Sequence, residues 1–151
     1  MSLLSEEHRR WIGHEDPPVT VEVSRRDIVK YALATEQRLE KYLRGDEAPP
    51  MFVFNLFGAL RPLEELRPDG LARGASAGPA LPLKRVMAGG TELIQHRPIR
   101  PGDRLTATTK LTDLYEKTGT QGPLIFSVRS MRVVDASGAP VLEEIQTAIA
   151  R

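Results

Sequence analysis

The sequence predicts an α+β domain in which a curved antiparallel sheet wraps around one central, buried helix. Three observations carry this. Between Asp46 and Leu63 the chain reads DEAPPMFVFNLFGALRPL, and from Met51 to Leu60 only Asn55 is strongly polar. Phe52, Phe54 and Phe57 in this stretch are three of the four phenylalanines of the chain. A helix that is apolar almost all round must be covered on every side. The second half then changes period, to long runs in which apolar and polar residues alternate, the pattern of half-buried strands. Helices first and about four long antiparallel strands afterwards argue for one sheet packed on one helix.

Length and composition set the frame. The 151 residues suit a single domain with a real core, spanning 1–151. Charged residues are 27% and the apolar class 40%, which excludes a disordered chain and a membrane one. No apolar run approaches the ~20 residues of a membrane span, and MSLLSEEHRRWIG is too charged for the apolar core of a secretory signal. A cytoplasmic protein is the expectation. Without cysteine there are no disulfides, thiolate metal sites or cysteine nucleophiles. A net charge of +1 gives no general drive toward nucleic acid.

Residues 1–18 read as an N-terminal helix and linker. Ser5 can cap a helix that carries Glu6 and Glu7 in its first turn and Arg9 and Arg10 later, both suited to the helix dipole. Leu4, His8, Trp11 and Ile12 share a face, Gly13 is a stop, and 14–18 is linker. Val19, Val21 and Val23 alternate as a strand. Ser24 to Asp27 has capping-box spacing, and Ile28, Tyr31, Ala32, Thr35 and Leu39 follow on one helical face. Residues 38–44 read as charged helix or irregular chain.

The central helix has its own start and stop. Asp46 can cap it, Pro49 and Pro50 suit a first turn, and Arg61 before Pro62 is pushed out of helical geometry. A buried strand is the rival reading of so short an apolar run. The paired prolines, with Leu56, Ala59, Leu60 and Leu63 following Phe52 at helical spacing, favour the helix. Residues 67–82, rich in Gly, Ala and Pro, read as a mobile loop without phosphate-binding glycine spacing. Val86 to Arg97 is a strand, and Arg100-Pro101-Gly102-Asp103 is a type II turn. Leu105, Ala107, Thr109, Leu111 and Tyr115 alternate in the next strand. Leu124, Phe126 and Val128 alternate and Met131 and Val133 then switch face, which predicts a bulge near Ser130. Asp135 to Gly138 is a tight hairpin loop. Val141 to Ile149, equally matched to strand and helix spacing, is read as a strand because a hairpin precedes it.

Three segments resemble a known family. His96 to Leu105, HRPIRPGDRL, resembles the "HRP-L/I-R-x-GD" turn of MaoC-like dehydratases, in their N-terminal, fatty-acid-synthase-type half. Thr112 to Gly119, TDLYEKTG, is similar to the "TD-V/L-YEK-x-G" segment of that branch, and Ala48 to Phe52, APPMF, to its "APPTF" segment. The resemblance runs from about Val19 to Ile149. It implies the hotdog fold and hydration or dehydration of acyl thioesters of coenzyme A or acyl carrier protein. It also implies work as a homodimer, or as a heterodimer with a catalytic hotdog subunit, and no cofactor.

In catalytic members, the resemblance implies, a "GD-x-NP-x-H" segment supplies an Asp and a His that handle the water and its protons. Backbone N–H groups at the start of the hotdog helix polarise the thioester carbonyl. Laid on this chain, Gln37 stands at the Asp position and Tyr42 at the His position. Gln is no general base, and Tyr, with an ordinary pKa of ~10, is a poor proton acceptor. Pro49 and Pro50 have no N–H, so Met51 offers the first donor. The expectation is therefore an enzyme subunit that lacks its own Asp/His pair. A non-enzymatic acyl-CoA-binding module is the alternative, as is a hotdog thioesterase, for which no dedicated nucleophile or base stands out.

Met51, Asn55, His96 and Arg97 are the substrate-binding candidates. His96 and Arg97 have structural readings beside this one. His96 fits a hydrogen-bonded turn, and Arg97, Arg100 and Arg104 fit a solvated turn as well as a coenzyme A phosphate. Asp46 and Glu47 precede the central helix and are displaced-carboxylate candidates, with helix capping the simpler role of Asp46. Three scattered histidines make no metal set.

Overall fold

The computed structural model describes residues 2–68, 70 and 78–151. The order of elements is α1 (Glu6–Arg9), β1 (Val19–Glu22), α2 (Arg25–Ala34), α3 (Glu40–Leu43), a 3₁₀ helix (Pro50–Asn55), a second (Leu63–Glu65), then β2 (Val86–Gln95), β3 (Arg104–Gly119), β4 (Gly122–Val134) and β5 (Pro140–Ala150). The strands form one five-stranded sheet in the order β1-β3-β4-β5-β2, every neighbouring pair antiparallel. Register shifts at Ala88/Gly90, Leu111/Asp113 and Val133/Val134 bend it. No helix among the described residues is long and apolar enough to cross a membrane.

Strand parity puts one apolar row on the buried face. Leu105, Ala107, Leu111 and Leu114 of β3, Ile125 and Val133 of β4, and Leu142 and Ala150 of β5 are all buried. They fall into two clusters. The larger joins Leu105, Val133 and Leu142 to Ile28, Phe52 and Val53 from the helices. The smaller joins Leu114, Ile125 and Ala150 to Leu4. Each fully buried side chain of this size stabilises the fold by about 1.5–3 kcal/mol.

The N-terminal expectations hold at their start signals and shorten beyond them. The Ser5 side chain accepts from His8 N, and His8 Nδ1 accepts from Ser5 N, a reciprocal box in which histidine replaces the usual acid. The helix ends after one turn at Arg9, with Gly13 at φ +93°. The expected linker is pinned to β3: Asp16 N–H donates to Thr109 O at 2.8 Å, and Glu15 bridges to Lys110. Ser24 caps α2 through Asp27 N, and Ile28 and Ala32 are buried as expected. Thr35 ends that helix and Leu39 is 55% exposed, so the predicted face stops at Tyr31 and Ala32. Residues 40–43 form the short α3.

The predicted helix Met51–Leu60 is corrected to the six-residue 3₁₀ helix Pro50–Asn55. Phe52 and Val53 point into the core, whereas Phe54 is 55% exposed and Leu60 fully exposed. A single sheet covers one side only, so an all-apolar helix has no cover for its remaining faces. The paired prolines also withhold the N–H groups that would begin an α-helical ladder. The loop expected over 67–82 falls in part outside the described residues, and so does the side chain of Asn55.

Two register expectations in the sheet are corrected together. The bulge predicted on β4 near Ser130 sits across from it, on β3, where Leu111 pairs with Arg129 and Asp113 with Val128, leaving Thr112 extra. The buried parity of β4 therefore runs unbroken from Ile125 through Met131 to Val133, and Leu124, Phe126 and Val128 face the other way. Past Thr112 the buried residue of β3 is Leu114, not Tyr115. Tyr115 stacks on Phe126 across the outer face, ring centroids 5.0 Å apart. The hairpin at 135–138 forms as predicted, Gly138 N–H donating to Asp135 O, and β5 is a strand.

Candidate functional site

The segment from Gln37 to Met51 is held by local bonds rather than opened toward a reacting group. Gln37 N–H donates to Ala32 O, and its amide reaches Thr35 Oγ1 at 3.3 Å. Glu36 before it takes a left-handed conformation, φ +53°, where the chain turns away from α2. Tyr42 lies in α3 with the Lys41 ammonium 5.1 Å above its ring. The strand of chain that follows is clamped to α2. Gly45, at φ +70°, lies so close that an added Cβ would stand 2.8 Å from Arg25 Cγ and 3.0 Å from Arg25 O.

Asp46 does not cap the 3₁₀ helix, whose cap position is Pro49 with no side-chain bond. Its carboxylate accepts from Arg25 Nη1 at 2.6 Å and lies 3.5 Å from Arg44 Nε. Glu47 accepts from Lys41 at 2.8 Å and from Arg100 at 3.4 Å. The bond from Arg25 holds Asp46 below the usual carboxylate range, and the bond from Lys41 does the same for Glu47. Carboxylates held ionised by cations are poor proton acceptors for catalysis at neutral pH. Met51, half-exposed at the helix start, carries the first N–H after the two prolines.

His96 and Arg97 are built into the sheet end. His96 N–H donates to Val141 O, and its Nε2 is 3.3 Å from Glu143 Oε1. Arg97 donates to both oxygens of Asp103, at 2.8 and 3.2 Å, to Pro98 O at 2.9 Å and to Asp135 at 3.5 Å. It ties the turn before β3 to the β4–β5 hairpin. Its fork is engaged on two carboxylates, as a structural turn residue's would be. Arg100 is committed to Glu47.

The buried face carries a feature that motif reading passed over. Between the two apolar clusters lies a polar waist: Ser127 and Arg129 on β4, Glu144 and Gln146 on β5. Arg129 stands opposite Gln146, and Glu144 opposite Met131. Ser127, Arg129 and Gln146 line a cavity of about 280 Å³ whose walls include Leu81, Leu111, Leu114 and Ala148. Arg129 is 3.4 Å from Asp16 Oδ2. Glu144 is 7% exposed, and its Oε1 is buried without a partner. Burial raises the pKa of this carboxyl. The sequence signal was the row Leu142, Glu144, Gln146, Ala148, Ala150, which is one face of a strand only once β5 is known to be a strand.

The chain has recognisable relatives. The family described as FAS1-like, dehydratase domain region, matches residues 10–144. A UPF0336 protein of Saccharopolyspora erythraea is 29% identical over 147 residues, covering 93% of this chain and 89% of the relative. Among solved structures, the ChsH1-ChsH2 complex of Mycobacterium tuberculosis superposes with a TM-score of 0.65 at 16% identity, over 90% of this chain and 83% of that one. The C-terminally truncated HadBC (3R-hydroxyacyl-ACP dehydratase) complex of the same organism gives 0.64 at 18%, over 93% and 97%. A MaoC-like dehydratase of Phytophthora capsici gives 0.67 at 20%, over 93% of this chain and 48% of that one. These likenesses identify the sheet and its helices as the hotdog fold. The match over residues 10–144 settles the family: the chain belongs to the FAS1-like family, dehydratase domain region.

Proposed function

We propose that this chain is the acyl-binding hotdog of a hydratase or dehydratase acting on acyl thioesters of coenzyme A or acyl carrier protein, with the Asp/His pair on a partner hotdog. The observation that carries this is the segment Gln37–Met51. The positions matching the family's acid and base are Gln37 and Tyr42, and the nearby carboxylates, Asp46 and Glu47, are bound to Arg25 and Lys41. Hydration needs a base that takes a proton from water and a donor facing the thioester oxygen. Neither a poised base nor an N–H at Pro49 or Pro50 is supplied. The cavity of about 280 Å³ on the buried face of the sheet supports a role in holding the acyl chain instead.

A partner is supported by what the single chain leaves uncovered. β2 pairs only with β5, and Val86, Met87 and Ile94 along it are exposed. Phe54, Leu60 and Leu63 around the 3₁₀ helices are exposed as well. An open edge strand and large exposed apolar side chains are features that folded chains cover. The solved relatives named above include complexes of hotdog subunits, ChsH1 with ChsH2 and HadBC.

The test is hydration of an unsaturated acyl-CoA by this chain alone and by this chain with a catalytic hotdog encoded beside it. Activity is expected only in the mixture. Robust turnover by the purified chain defeats the reading and moves attention to Asp46, Glu47 and His96. Binding of acyl-CoA with no partner that ever confers turnover favours the non-enzymatic binding module.

A further inference from the structure

The polar waist is costly unless something answers it. Buried polar groups are normally hydrogen-bonded, and an unpaired one costs about 1–3 kcal/mol. Here Glu144 Oε1 is buried without a partner, and no side-chain hydrogen bond of Ser127 or Gln146 is found among the described residues. Both of the latter line the cavity, together with Arg129. The four side chains occupy neighbouring positions on the same face of β4 and β5, by strand parity and register. Apolar residues flank them along the sheet on both sides, Leu93 and Met131 toward the larger cluster, Leu81 and Leu114 toward the smaller.

We propose that this waist is a subsite for an oxygen substituent, a hydroxyl or a ketone, carried partway along the acyl chain of the ligand. The inference rests on the acyl-binding reading above and adds a substrate class to it. Ser127, Gln146 and the Arg129 guanidinium, which line the cavity, can donate to such an oxygen, and Gln146 can accept from a hydroxyl. Apolar wall on both sides places the oxygen within the chain rather than at its head. A pocket that is mostly apolar with a few convergent polar groups orients its ligand through those groups. A site built to bond an oxygen rejects the analogue that lacks it, because its own polar groups then stay unpaired.

The experiment is isothermal titration of the full chain, alone and mixed with a catalytic MaoC-like hotdog. The probes are stearoyl-CoA, stearoyl-CoA with a mid-chain hydroxyl, and stearoyl-CoA with a mid-chain ketone. The native chain is expected to bind the oxygenated thioesters about tenfold more tightly, the worth of roughly one good hydrogen bond. Gln146→Leu with Ser127→Ala is expected to erase or reverse that preference between the oxygenated and the plain probes. Equal binding of all three probes by the native chain overturns the subsite and leaves the acyl-binding reading standing. Absence of binding to any probe, in both preparations, overturns both. The comparison among probes on the native chain does not depend on any variant folding.

Discussion

Arg97 shows how a charged residue in a recognisable turn earns its place structurally. Its guanidinium bonds Asp103 twice and reaches Asp135, so removing it leaves two half-buried carboxylates without their cation. Arg97→Ala is expected to destabilise the fold by about 1–3 kcal/mol, read from the urea midpoint, and to leave acyl-CoA affinity unchanged. A large loss of affinity with no loss of stability would identify Arg97 as a phosphate ligand instead. Glu144 is the opposite case, a carboxyl without a partner whose folded-state pKa is raised by burial. Below the ordinary glutamate range the folded and unfolded chains both hold the proton, and nothing is lost. As pH rises through and above that range, the unfolded chain releases the proton first, so the native state loses stability until its own pKa is passed. Glu144→Gln is therefore expected to match the native chain in acid and to exceed it in stability at neutral pH. Urea unfolding as a function of pH measures the difference. Asp46 and Glu47 carry the reverse sign: their folded pKa values are depressed, so the stability they confer is present above the ordinary carboxylate range and is lost as pH falls through it.

At the scale of elements, start signals were legible and lengths were not. Ser5 and Ser24 cap the helices that they were read to cap, since a cap is a bond between neighbours in sequence. Where a helix stops depends on what covers it, which lies elsewhere in the chain. Leu39 and Leu60 continue the apolar spacing into regions with nothing to pack on. The bulge was legible as a mismatch of parity between neighbouring strands, but not which strand held the extra residue, because that is decided by pairing. In the candidate site, Gln37 and Tyr42 could be read from the sequence at the positions the resemblance gives to an Asp and a His. The cavity could not, because Ser127, Arg129, Glu144 and Gln146 meet only through the register of β4 and β5. One glycine fixes the path between α3 and the 3₁₀ helix. Gly45 combines φ +70° with contacts of 3.0 Å or less to Arg25 that a Cβ would make. Gly45→Ala is expected to cost more than about 1 kcal/mol, since strain in the left-handed region and a steric clash add. An unchanged thermal midpoint would show that the loop can leave α2 freely.

For the whole molecule, the division into α+β order and a single sheet was legible because hydrophobic period changes cleanly after residue 85. What the sequence alone could not say is that the central apolar stretch outruns the cover one chain provides. A hotdog with its helix cut to Pro50–Asn55 buries Phe52 and Val53 and leaves Phe54, Leu60 and Leu63 outside. These last three residues, and Val86, Met87 and Ile94 on the edge strand β2, are exposed apolar surface that a second hotdog is expected to cover. Met87 and Ile94 lie on the same face of β2, since they pair with Ile149 and Glu143 at odd positions of β5. At micromolar concentration the chain is expected to be a dimer or higher even oligomer by light scattering, whether with itself or with its partner. Met87→Lys with Ile94→Lys places two charges on the margin of the uncovered edge. The pair is expected to leave the circular dichroism spectrum in place, shift the scattering mass to the monomer, and abolish any turnover gained by mixing with a catalytic hotdog. Edge lysines block strand pairing because a docked edge would have to desolvate them. A variant that remains fully assembled places the contact elsewhere, on the exposed residues beyond Asn55, and Leu60→Glu becomes the substitution that separates the subunits.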